Sequence, residues 1–178
     1  MWQRALYAIY GINIESVTVV VTAFMLGLGL GSLAGGAASR RPGRSAVLLF
    51  SLVELAIGVF GFFSLPILHS VGEATLRLPP LATGVLTFLL VLAPTMLMGA
   101  TLPLLVGHMV RTTRNVGQSV GVLYFVNTLG SAGASIAAPL LLLGPLGQSS
   151  TVRVAAGLNF AVSVVAYVLY HRGRGAPA

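Results

Sequence analysis

Apolar residues in this chain come in long runs separated by short polar stretches. The runs extend from about Ile14 to Ala38, Ser45 to Val71, Leu81 to Val110, Val116 to Leu143 and Ser150 to Tyr170. A membrane span needs about 20 mostly apolar residues at ~1.5 Å rise each. Every run meets that length, so the pattern predicts five transmembrane helices, at residues 14–38, 45–71, 81–110, 116–143 and 150–170. The expected fold is an all-α, polytopic integral membrane protein, with residues 1–178 forming a single membrane domain. The third run is the least regular. Pro94 and Pro103 bracket Thr95, Gly99 and Thr101 within it. Each proline removes a backbone donor and crowds the preceding turn, which predicts a kink. Lipid tolerates such a helix only where protein or water satisfies the freed carbonyls. No charged start leads through a short apolar stretch to a small-residue cleavage site, so no removable signal peptide is expected.

Composition supports this reading. Hydrophobic residues make up 56% and charged residues 7%, with a mean hydropathy of +0.96. A soluble chain carries roughly a quarter charged residues. The acids are Glu15, Glu54 and Glu73, and all ten basic residues are Arg, giving a formal charge of +7. In a soluble protein that excess would point to nucleic acid. Here no basic stripe interleaves with aromatics on a polar surface, so no nucleic-acid partner is expected. The absence of Cys excludes disulfides, thiolate metal sites and cysteine nucleophiles. His69, His108 and His171 have no acid or second His at ligand spacing, so neither a metal site nor a cofactor is expected. No Ser-His-acid set stands out by spacing, and no catalytic residue is assigned.

Charge placement gives an orientation. Arg40, Arg41 and Arg44 lie between the first two runs, Arg111 and Arg114 between the third and fourth, and Arg172 and Arg174 after the fifth. The intervening loops are poorer, with Glu73 and Arg77 in one and no charge from Gly144 to Gln148 in the other. Arg-rich loops face the cytoplasm. The N-terminus is therefore expected outside and the C-terminus in the cytoplasm, with these arginines as cytoplasmic anchors in a plasma membrane.

Small residues predict where helices meet. Gly27, Gly31 and Gly35 recur every fourth residue, and Gly130, Gly133 and Ala134 form a similar face in the fourth run. Such spacing lets two backbones approach closely. A dinucleotide fingerprint is excluded, because Gly27-x-Gly29-x-Gly31 follows no strand and precedes no acid.

Polar groups at membrane depth are costly and mark functional hypotheses. Glu54 lies about nine residues into its span, roughly 14 Å deep. Asn127, Thr95, Thr101 and Asn159 are expected at comparable heights, where they would meet Glu54 in one polar layer on the path of a substrate or proton. Two readings of Glu54 stay open. It is a structural carboxyl bonded to Asn127 or to a carbonyl freed by the prolines, or it is a site for an amine, a cation or a proton.

A family resemblance rests on specific stretches. Trp2-Gln3-Arg4, Phe24 to Ser32, Pro94-Thr95-Met96-Leu97-Met98-Gly99-Ala100-Thr101-Leu102-Pro103, Gly121 to Ser131 and Asn159 together resemble the membrane domain of bacterial spermidine synthase-like proteins. These fuse a major-facilitator-like half to an aminopropyltransferase-like domain. The resemblance implies half of a major-facilitator-like bundle in a bacterial inner membrane. It also implies an apolar helix ahead of Trp2 and a soluble transferase domain, neither of which this sequence contains. The expected function is a non-catalytic membrane module that anchors an aminopropyltransferase-like partner or passes a small amine. The alternatives are a half-transporter working as a homodimer, or a fragment without independent function.

Overall fold

The computed structural model describes residues 14–41, 45–75 and 78–175. Every element among them is helical: α1 (Ile14–Ser39), α2 (Ala46–Thr75), α3 (Pro80–Thr113), α4 (Val116–Ala137), a π-helical segment (Ala138–Leu143) and α5 (Gly144–Gly175). Trp2, Gln3, Arg4 and Arg44 lie outside the described residues, as does the side chain of Glu15.

Local chemistry sets the element boundaries. Ser45 caps α2, its Oγ accepting from the Leu48 N–H at 3.4 Å. Pro80 opens α3 after an extended Pro79, the position where proline's missing donor costs nothing. The α3 helix ends at Arg114 in the left-handed region, φ 53°, with its N–H on the Val110 carbonyl at 2.9 Å. Asn115 then caps α4, accepting from Gln118 N at 3.0 Å.

Pro94 and Pro103 lie inside α3, which runs through both as one helix. Thr95 Oγ1 donates to the carbonyls of Val91 and Leu92, both at 2.9 Å, and Thr101 Oγ1 to that of Met98 at 2.8 Å. The carbonyls that the two prolines leave without a helical donor are those of Leu90 and Gly99, so these hydroxyls bond their neighbours. The fourth and fifth runs follow one another closely, and helical structure from Val116 to Gly173 is broken at Gly147; unbroken, its 58 residues would span about 87 Å. A hydrocarbon core is only ~30 Å thick. The break is Gly147, at φ 71° and ψ 176°, a backbone region open essentially to glycine alone. Thr151 restarts the helix there, bonding the Gly147 carbonyl at 2.6 Å.

Glycine contacts define the packing. Gly27 faces Thr95, Gly31 faces Met96, Gly35 faces Ala100 and Gly107 faces Ser39. Residue numbers rise together along both helices, so α1 and α3 run parallel. Gly58 faces Phe160 and Gly61 faces Ala156, while Ser51 bonds Ser163. Numbers rise on one helix as they fall on the other, so α2 and α5 are antiparallel. Helix α3 also packs on α2, and two small apolar clusters fill the interior. One joins Ala23, Leu68 and Val91, the other Phe50, Ala100, Leu104 and Ala166. Large apolar side chains such as Leu33, Leu81 and Leu140 point outward. Helices this long, apolar and outwardly greasy belong in a bilayer.

Helix α4 is the exception. It makes its main contacts with α3 and the π-helical segment. Ser119 is its one buried residue, tied to Thr113 through a 2.8 Å hydroxyl pair. Beyond that corner α4 stands away from the bundle. An added Cβ at Gly121, Gly130 or Gly133 would meet nothing within 4 Å. The close approach expected at Gly130 and Gly133 is therefore not made by any described part of this chain.

Candidate site around Glu54

Two cavities lined by described residues open along the bundle. The inner groove, about 760 Å³, lies between α2, α3 and α5, with Phe50, Leu105 and Ala161 in its wall and His108 and Tyr170 near its end. The mid-bundle cavity, about 540 Å³, draws Val20 and Phe24 from α1, Ile57 from α2, Met98 from α3 and Asn159 from α5. Neither lining includes an Asp, Glu, Lys or Arg.

Glu54 sits between them in chain register. Phe50, one turn before it on α2, lines the inner groove, and Ile57, one turn after it, lines the mid-bundle cavity. On α3 the same interval runs from Leu105 to Met98 and contains Thr101. On α5 it falls between Ala161 and Asn159, at Phe160, whose ring lies about 3.0 Å from where a Cβ on Gly58 would stand. Glu54 is 9% exposed. Among the described residues no side chain forms an ion pair or hydrogen bond with its carboxyl.

The seam beside Glu54 is closed by two serines. Ser51 Oγ donates to the Ser163 carbonyl at 2.9 Å, and Ser163 Oγ donates to the Ser51 carbonyl at 2.8 Å. The two hydroxyls stand 3.3 Å apart. This reciprocal pair fixes α2 against α5 one turn from the acid. Sequence reading missed it, since serines in spans usually bond their own helix, as Ser64 does to the Gly61 carbonyl. The one available cue was Ser51 lying three residues before Glu54.

The other predicted residues divide. Asn159 lines the mid-bundle cavity and spends one amide hydrogen on the Ala155 carbonyl at 3.1 Å. Thr95 is fully buried, but it faces α1, where its hydroxyl also reaches the Ala23 carbonyl at 3.4 Å. Asn127 is exposed on α4, so it does not join Glu54. Of the residues expected in one polar layer, Asn159 lines a cavity, while Glu54 and Thr101 are in neither lining. Thr87, not singled out from sequence, keeps a fully buried hydroxyl without a partner on α3.

Comparison with known proteins adds one relation. Over 163 residues, 91% of this chain, the sequence is 28% identical to a protein of Streptomyces coelicolor described as polyamine aminopropyltransferase 1. The similarity supports a distant spermidine synthase-like relation. The chain spans about 29% of that relative's length. No family model and no solved structure matches the chain.

The predicted anchors gather at one end of the bundle. Arg40 and Arg41 follow α1 and are exposed, as are Arg111 and Arg114 at the end of α3. Arg111 donates to the Ser39 carbonyl, which ties the first Arg-rich turn to the second. Ser45, His108, Tyr170 and Gly173 share the inner groove, so the start of α2 and the end of α5 meet there too.

Proposed function

We propose that this chain is a non-catalytic membrane module of a spermidine synthase-like protein that passes a small amine through its helix bundle. The observation that carries the reading is Glu54, a buried acid without a described protein partner, set between two cavities. A carboxylate at that depth is costly without a counter-charge. An ammonium group supplies both the charge and the hydrogen-bond donors. The relation to a polyamine aminopropyltransferase favours an amine over a metal cation. The amine enters the mid-bundle cavity beside Asn159 and pairs with Glu54. It moves on only when the Ser51–Ser163 seam and Phe160 give way. The module also anchors an aminopropyltransferase-like partner, in a bacterial inner membrane with its C-terminus in the cytoplasm. A second reading, a half-transporter working as a homodimer, is favoured by the bare face of α4 at Asn127, Gly130 and Gly133.

The test is uptake of labelled putrescine and spermidine into proteoliposomes. Glu54→Gln keeps the side chain's size and should abolish uptake without lowering the melting temperature. Uptake by Glu54→Gln at the wild-type rate, or none by the wild type, would overturn the amine path.

A further inference from the structure

We infer that the inner groove binds one anionic phospholipid, with an acyl chain between α2, α3 and α5 and the phosphate at His108 and Arg172. The inference is independent of the amine path, which turns on Glu54. Three observations carry it. The groove holds about 760 Å³, and its depth is walled by Val47, Phe50, Leu105 and Val165. Its α5 side runs from Ala161 to Gly173, about 18 Å of helix, close to the ~15 Å depth of one leaflet. That length and that lining suit a single hydrocarbon chain lying along the bundle.

Charge settles which lipid. The polar members of the lining, Ser45, His108 and Tyr170, belong to one end of the groove. Val165 and Leu169 in the wall are continued by Arg172 on the same α5 face, at successive helical turns. The same end of the bundle carries Arg40, Arg41, Arg111 and Arg114, while the described acids lie elsewhere, Glu54 at depth and Glu73 at the opposite end of α2. A basic mouth over an apolar slot between helices selects an anionic headgroup. A zwitterionic lipid would bring its own cation to that mouth and lose the advantage. A bound phosphate also offsets the positive rim.

Native mass spectrometry of the detergent-purified chain, titrated with dioleoylphosphatidylglycerol or dioleoylphosphatidylcholine, tests the inference. The expected result is one tightly held phosphatidylglycerol and weaker phosphatidylcholine. Arg172→Gln should weaken phosphatidylglycerol about fivefold, the effect of one near-surface Arg, and bring the two lipids closer. Val165→Trp, at an exposed wall position that accepts a larger ring, should expel both lipids while leaving the melting temperature intact. Equal affinity for the two lipids, or unchanged phosphatidylglycerol binding in both variants, would overturn it. So would equal protection by inorganic phosphate alone, which would make the groove irrelevant. A Val165→Cys disulfide between two copies that excess phosphatidylglycerol fails to prevent would put a second chain in the groove and overturn it as well.

Discussion

Replacing Gly31 by alanine adds one methyl group at the tightest backbone contact between α1 and α3. The new Cβ would stand 1.9 Å from the Met96 carbonyl oxygen, 2.7 Å from its carbon and 2.9 Å from its Cα. All three are backbone atoms, so no rotamer relieves the clash. The 1.9 Å approach falls about 1.5 Å short of ordinary contact at 3.4 Å, and the helices must part by roughly that amount. Gly27 against Thr95 and Gly35 against Ala100 are one turn away on either side, so the separation spreads along the seam. A gap of 0.5–1 Å already forfeits a quarter to a half of each atom pair's attraction. Overpacking of this kind costs about 1–3 kcal/mol, and alanine's better helix propensity returns at most ~1 kcal/mol. The expected net loss is therefore about 1–2 kcal/mol, or several degrees in melting temperature at ~2–4 °C per kcal/mol. Gly29→Ala is the matched control, because a Cβ there meets nothing within 4 Å. It should hold or gain stability. Thermal unfolding of both variants in one detergent, followed by size-exclusion chromatography, measures the difference. Gly31→Ala as stable as Gly29→Ala would refute the parallel α1–α3 seam.

Three further outcomes are expected. Ser51→Ala and Ser163→Ala each remove one interhelical hydroxyl-to-carbonyl bond and should each lower stability by about 0.6–1.7 kcal/mol; no loss in either variant would separate α2 from α5 at that level. Gly147→Ala forces a side chain into φ 71° and should destabilise by about 1–3 kcal/mol, with new protease cleavage near Gln148, whereas unchanged stability would place the break elsewhere. A cysteine at exposed Asn115 should react with a membrane-impermeant maleimide only from the cytoplasmic side, and one at exposed Ser70 only from outside. The reverse labelling would invert the topology.

The helices themselves were legible, because in lipid a backbone has no choice but to bond within its own segment. The same constraint bears on the link between the fourth and fifth runs. Gly144, Pro145 and Gly147 read as a turn in water, where loop carbonyls are satisfied by solvent. Here helical bonding continues through Ala138–Leu143 in a π-helical form, and the break falls on the single glycine at Gly147. Pro94 and Pro103 lie within α3, which continues as one helix through both. Glycine spacing showed where a groove exists and not whether anything fills it. Gly27, Gly31 and Gly35 have a partner at contact distance, while Gly130 and Gly133, equally regular, face open space.

The site was half legible for a related reason. Counting residues from a span's end gives a side chain's height, and of the residues so chosen Asn159 lines a cavity. Height does not give the angle around the helix axis or the tilt of the helix. Thr95 shares the region but turns toward α1, where Gly27 leaves room for its hydroxyl. Asn127 fails for a larger reason than angle. Its whole helix swings away from the bundle after the Thr113–Ser119 corner, and no rotation of α4 alone brings that amide to Glu54. Its position has an energetic consequence. An amide facing hydrocarbon leaves donors unmet, and Ser131 and Ser135 beside it turn their hydroxyls back onto the carbonyls of Asn127 and Ser131, each at 2.8 Å. The serines are thereby silenced within their own helix, whereas the Asn127 amide, unlike that of Asn159, bonds no described group. That asymmetry makes Asn127, rather than the glycines around it, the residue on α4 that gains most from a covering helix.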